Sequence, residues 1–202
     1  MKPESGMPGC KAGATILLLA CGLSAGCAPT EMVGAWRSPS FHGPSFKRVL
    51  VVDMAKRADV RRMYEDAFVQ ALGTAGATGL ASYPLLTEAQ MSDKAAIAAA
   101  VARSGADAVL VTRLVKVVKQ EVVIPPRPSI QEYVDTAWPG TYTPTVAGEN
   151  EIVTLRTRLF DAATQQPVWS GTTQTFDAQN LKQATSSVSR IIAKQLARQK
   201  LI

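Results

Sequence analysis

Histidine and cysteine are nearly absent from this chain, which has one of the first and three of the second in 202 residues. A structural or catalytic zinc needs three or four such ligands, so no metal centre is expected. A serine-histidine-aspartate triad would have to use His42, which stands between Phe41 and Gly43 with no Gly-x-Ser-x-Gly text anywhere in the chain. A glycine-rich phosphate loop is missing too, because the glycines of residues 73–79 follow a helical pattern where such a loop precedes one. Two carboxylate pairs remain, Glu65 with Asp66 and Glu149 with Glu151. The first lies beside Arg61 and Arg62 at spacings that suit pairing along one helix, and the second opens a strand. No catalytic residue, cofactor or enzymatic activity is expected. The longest apolar run, residues 12–23, falls short of the ~20 residues that cross a bilayer.

What is present begins at the amino terminus. Lys2 and Lys11 precede that apolar run, which ends in Leu23-Ser24-Ala25-Gly26 directly before Cys27. A basic start, a short apolar stretch and small residues at the cut describe an export signal. With a cysteine following, the segment resembles the lipobox of bacterial lipoproteins, which implies acylation of Cys27 and removal of residues 1–26. Cys21, after Leu18-Leu19-Ala20, competes, but its use would leave a shorter apolar stretch after Lys11. Loss of the signal removes Cys10 and Cys21, so no thiol pair is left for a disulfide in an oxidising compartment. Several acyl chains on one residue would hold the protein firmly at a membrane. By resemblance to enterobacterial lipoproteins, Ala28 rather than Asp after the cysteine favours the outer membrane over the inner, with the domain facing the periplasm.

The formal net charge is +6. Behind an export signal such an excess points to anionic headgroups, cell-wall polymer or an acidic protein face, not to nucleic acid.

Residues 27–45 read as the lipidated cysteine and a flexible tether, broken by Pro29, Gly34, Pro39, Gly43 and Pro44, with Trp36, Phe41 and Phe46 packing back on the domain. The folded part spans 46–202. A β-branched run at 49–52 predicts a buried strand. A helix follows to Ala75, capped by Asp59, burying Val60, Met63, Phe68, Ala71 and Leu72 while Arg61, Arg62, Glu65 and Asp66 face away. A short strand at 80–83, an alanine-rich helix opened by Asp93 or Ser92 and closed by Gly105, and a long strand at 108–123 come next. Residues 125–148 form a proline-rich excursion. Strands at 151–160 and 167–176 and a helix at 181–201 complete the chain. The expected fold is α/β (α+β): one mixed sheet of about five strands in the order β-α-β-α-β-β-β-α, helices packed on it, parallel early and an antiparallel meander late.

Three local texts sharpen this: residues 47–53, Gly105-Ala106-Asp107-Ala108-Val109-Leu110, and Leu159-Phe160-Asp161-Ala162 followed by Pro167-Val168-Trp169-Ser170. They resemble small bacterial lipoproteins whose domains are like those of curli-secretion lipoproteins, lipoprotein activators of penicillin-binding proteins and the amino-terminal domain of TolB. The resemblance implies a structural role for these motifs, with Trp169 filling the core.

Two surfaces are candidates for binding. The excursion carries Tyr133, Trp138 and Tyr142 among five prolines, a composition suited either to a partner-binding arm or to folding back over a sheet edge. The last helix carries Arg190, Lys194, Arg198 and Lys200 on a basic face. Together these features predict a lipid-anchored periplasmic binding or adaptor domain, attached to a membrane through Cys27 and engaging an envelope protein or cell-wall polymer. The competing expectation is a structural subunit of an oligomeric outer-membrane secretion complex.

Overall fold

A computed structural model describes residues 30–124, 145–176 and 180–202. Six strands form one open mixed sheet: β1 (Thr30–Arg37), β2 (Arg48–Asp53), β3 (Thr78–Ala81), β4 (Ala108–Ile124), β5 (Thr145–Asp161) and β6 (Pro167–Phe176), in spatial order β1-β6-β5-β4-β2-β3. Helices α1 (Ala58–Ala75), α2 (Lys94–Ser104) and α3 (Leu181–Arg198) pack on it, with a short 3-10 turn at Glu88–Ser92. β2 pairs in parallel with β3 and β4, and the other neighbours are antiparallel. The α/β class and the change from parallel to antiparallel pairing agree with the sequence pattern, with six strands in place of about five.

The added strand corrects the tether. Residues 30–37 contain no proline, so their N–H groups can join a ladder, and β1 covers the outer edge of β6 from Thr30↔Thr175 to Arg37↔Trp169. Gly34 falls where that register shifts. The prolines and glycine at 39, 43 and 44 instead shape the connection from β1 to β2. Phe46 is buried there and stacks on Phe41 with ring centroids 5.3 Å apart, whereas Trp36 stays about half exposed.

Helices α1 and α3 share one face of the sheet. Val49 and Val51 of β2, Leu110 of β4, Leu155 and Leu159 of β5 and Trp169 of β6 meet Phe68, Leu72, Val188, Ile192 and Leu196 there. Among the described residues the opposite face is covered only at one end, where Leu50, Val52 and Val109 pack against Leu86, Met91 and Ala100 of the 3-10 turn and α2. Local signals explain these boundaries. Asp93 caps α2 by accepting from the Ala95 N–H at 2.8 Å, and Gly105 ends it at φ +62°. The Asp107 carboxylate then accepts from the N–H groups of Lys47 and Arg48, fastening the start of β4 to β2. At the β5–β6 turn the Asp161 carboxylate takes the Ala163 and Thr164 N–H groups.

Two further expectations change. α1 begins at Ala58 with Arg57 at its N-cap, and Asp59 serves as an ion-pair partner of Arg57 in the first turn. Arg61 and Glu65 do not face away: they are buried at 6% and 0% exposure. The positions 61, 65, 68 and 72 form a single stripe at spacings of four, three and four, so Phe68 and Leu72 carry the two charged residues inward with them.

Candidate functional site

Cys27, Tyr133, Trp138 and Tyr142 lie outside the described residues. His42 is exposed, with Nδ1 3.0 Å from the Ser40 carbonyl oxygen. The basic residues of α3 are exposed as expected, and Lys182, Arg190, Lys194 and Arg198 line one wall of a groove of about 950 Å³ between α1 and α3. Among the described residues no three His, Cys, Asp or Glu side chains gather as metal ligands, and no helix is long and apolar enough to cross a membrane.

The more organised surface is the part of the sheet that α2 leaves bare. Strand register sets it out in rows. Val111 pairs with Arg158, Arg158 with Ser170 and Ser170 with Trp36. The next row along the strands runs Arg113, Arg156, Thr172 and Gly34. After a bulge at Leu114/Lys116, Lys116 stands opposite Thr154. Directly opposed residues project to the same side, so Arg113, Lys116, Arg156 and Arg158 share this face with Trp36. Arg156, Arg158, Trp36, Ser170 and Thr172 line a shallow depression of about 450 Å³ floored by Gly34 and Ala35. Gly34 has open space where a Cβ would stand, so the floor stays low beside the indole.

The ion pairs between described residues are Arg57–Asp59 and Arg61–Glu65, so none of these four cations is neutralised by a described carboxylate. Two arginines whose Cα atoms stand about 7 Å apart along one strand, beside an indole half open to solvent, can clasp a carboxylate or phosphate and cover its apolar neighbour. In the sequence Arg156 and Arg158 mark only the polar side of a strand. That no described helix covers that side follows from the sheet order, and the sequence carries no local signal for it.

A second cluster is buried at the carboxyl ends of β2 and β3. The Glu65 carboxylate accepts from Arg61 Nε at 2.9 Å, from the N–H groups of Asp53 (3.3 Å), Ser82 (2.6 Å) and Tyr83 (2.9 Å), and from the Ser82 hydroxyl (2.7 Å). Arg61 spends its other donors on the Leu86 carbonyl and the Ser82 hydroxyl oxygen. Burial, reinforced by the nearby Glu65 charge, raises the Asp53 carboxyl from its ordinary 3.8 to about 7, against the lowering effect of the Ala55 N–H and of Arg61. Tyr64 is pushed up to about 12, chiefly by burial. A neighbouring cavity of about 250 Å³ is bordered by Lys56, Arg61, Arg62 and Tyr83. The hydrogen bonds of Arg61 and Glu65 end inside the domain, so the pair holds the β2–α1 and β3–α2 connections together.

No protein-family model matches the chain, and no curated protein is similar to it. Solved structures similar to it include a PelC dodecamer from Paraburkholderia phytofirmans, at 13% identity and a TM-score of 0.46 over 86% of this chain and 99% of that one. A point variant of the same PelC, in a second crystal form, gives 14% identity and a TM-score of 0.44 over 84% and 99%. Lipoprotein GNA1162 from Neisseria meningitidis gives 16% identity and a TM-score of 0.42 over 75% and 99%.

Proposed function

We propose that this chain is a lipid-anchored, non-catalytic binding domain of the bacterial cell envelope. Cys27 tethers it to the outer membrane, and the bare basic face of β4, β5, β6 and β1 takes an anionic partner in the periplasm. The observation that carries the binding role is the cluster of Arg113, Lys116, Arg156 and Arg158 on one face of the sheet, without a carboxylate partner among the described residues, beside half-exposed Trp36. The anchor rests on the Leu23-Ser24-Ala25-Gly26-Cys27 text. The buried Arg61–Glu65 pair supports a non-catalytic reading, since its hydrogen bonds join the pair to the β2–α1 and β3–α2 connections. Tyr133, Trp138 and Tyr142 are proposed as a further contact arm for the same partner.

The test is photocrosslinking in intact cells. A photoreactive residue at Ser170, between Arg158 and Trp36, should capture one envelope component, and the R156E/R158E pair should abolish that capture. A probe at Ala98 on α2 serves as control. Equal capture at both positions, or capture that survives the double charge reversal, would contradict the assignment of this face.

A second reading, a subunit of an oligomeric envelope complex, is favoured by β4. Its pairing with β2 ends at Asp53↔Thr112, and beyond it Leu114, Val115 and Val117 stand 59%, 46% and 43% exposed. Apolar residues on an unpaired strand edge are a ready surface for another chain. The mass of the detergent-solubilised protein separates the two: a monomer favours the binding domain, a multiple of the chain mass the complex.

A further inference from the structure

Helices α1 and α3 run side by side in the same direction. They follow β2 and β6, two strands of one sense, and both finish at the start of β2. There the Lys47 carbonyl accepts from the Thr78 N–H and the Leu201 carbonyl from the Phe46 N–H, each at 2.8 Å. Phe68 and Leu72 of α1 and Val188, Ile192 and Leu196 of α3 belong to the core beneath. Between the outer faces of the two helices runs the groove of about 950 Å³, on the side of the sheet opposite the basic face of Arg156 and Arg158.

Charge on this groove is one-sided. Lys182, Arg190, Lys194 and Arg198 are exposed along its α3 wall at separations that are multiples of four residues, one row about 24 Å long at 1.5 Å per residue. The ion pairs between described residues include none of these cations. A single carboxylate lines the groove, Asp66 on the α1 wall, and it accepts from the Tyr83 hydroxyl at 3.1 Å. Between the walls the floor is low. Ala67, Ala71 and Ala75 of α1 and Ser189, Ala193 and Ala197 of α3 supply it, each set a row at four-residue spacing. Side chains this small let another helix approach to about 8 Å between axes, the short end of helix packing distances.

We propose that the α1–α3 groove is a docking site for an acidic amphipathic helix of another protein. Its apolar face enters the alanine and serine floor, and a row of Asp or Glu at four-residue spacing lies along the cations of α3. Matching that row takes a helix of about 16 residues. Both helices repeat at the same interval, so one register brings several carboxylates to Lys182, Arg190, Lys194 and Arg198 together. A second copy of the described domain supplies no such helix. α2 and α3 contain no Asp or Glu, and the exposed carboxylates of α1 are Asp59, paired with Arg57, and Asp66, already in the groove. A flat anionic bilayer would meet the cations but leave the recessed floor uncovered. This site depends neither on acylation of Cys27 nor on Arg113, Lys116, Arg156 and Arg158.

The experiment uses the full chain in intact cells with a photoreactive residue at Gln70, which is exposed on the α1 wall of the groove. Mass spectrometry of the digested adduct reads the captured segment, which is then synthesised with a fluorophore and bound to the purified protein. The expected segment is a helical pattern with Asp or Glu at every fourth position. Its affinity, read by fluorescence anisotropy, should fall about tenfold in R190E/K194E/R198E, where three exposed ion pairs are lost together. The milder R190Q/K194Q/R198Q, which guards against misfolding, should lose affinity in smaller measure. Ala71→Phe, which fills the floor and keeps every charge, should weaken the peptide as well, whereas R156E/R158E should leave it unchanged. Capture of this chain itself, of lipid, or of a segment without an acidic row overturns the proposal, as does the absence of any adduct at Gln70. Peptide binding that survives the charge reversal or the filled floor overturns it too. None of these results bears on capture at Ser170, so the two surfaces stand or fall separately.

Discussion

Glu65→Ala should be among the most damaging single substitutions in the domain. The Glu65 carboxylate is fully buried and satisfies three backbone N–H groups, the Ser82 hydroxyl and the Arg61 guanidinium. Its removal strands all of these donors and leaves the Arg61 charge uncompensated at 6% exposure. Breaking a buried pair from one side costs about 3–5 kcal/mol, a large part of the roughly 5–15 kcal/mol that a domain holds in total. At about 2–4 °C per kcal/mol for a chain of this size, the melting temperature should fall by roughly 10 °C. Urea denaturation followed by far-ultraviolet circular dichroism would measure it. Adding Arg61→Met to Glu65→Ala should cost little more, because the first change has already broken the pair. The apolar pair Arg61→Met with Glu65→Leu should still be destabilised, since the Asp53, Ser82 and Tyr83 N–H groups remain unsatisfied. A Glu65→Ala protein melting within about 2 °C of the parent, or strict additivity of the two changes, would refute the role assigned to this cluster.

Asp53 gives a pH signature of defined sign. Its folded-state pKa is raised to about 7, so between about pH 4 and pH 7 the folded state holds a proton that the unfolded state has released. Stability should therefore fall as pH rises through that window and level off above it, by on the order of 4 kcal/mol from this group alone. Asp53→Asn should flatten the slope, as read from urea midpoints across pH. Gly171→Ala would place a methyl 2.3 Å from Cη2 of the Trp169 ring, so that fully buried ring must shift, at a cost of about 1–3 kcal/mol in a thermal melt. Asp107→Ala should release the Lys47 and Arg48 N–H groups to water and cost about 0.5–1.5 kcal/mol, with the loss of amide protection concentrated at the start of β2 in hydrogen exchange.

Much of the fold is legible in the sequence because short-range rules carry it. The β-branched run of β2, the Asp93 cap, the αL Gly105 and the Asp161 turn each act within a few residues, and each operates in the structure. β1 is not legible, because an edge strand with exposed Val33 and Trp36 has no buried alternation and is specified only by the free edge of β6. Charge alone assigns Arg61 and Glu65 to solvent. The stripe they share with Phe68 and Leu72 is visible in the sequence, but their burial depends on partners at the distant Ser82, Tyr83 and Leu86. The basic face of Arg156 and Arg158 needs the sheet order, which leaves β5 before Phe160, and β6, outside the cluster formed with α2.

The most direct measurement is the intact mass of the mature protein extracted from membranes, with a fragment spectrum of its amino terminus. Cleavage after Gly26 with acyl chains on Cys27 is the predicted result, and it would place the domain within three residues of lipid. A chain that retains residues 1–26, or that begins elsewhere with Cys27 as a free thiol, would contradict it.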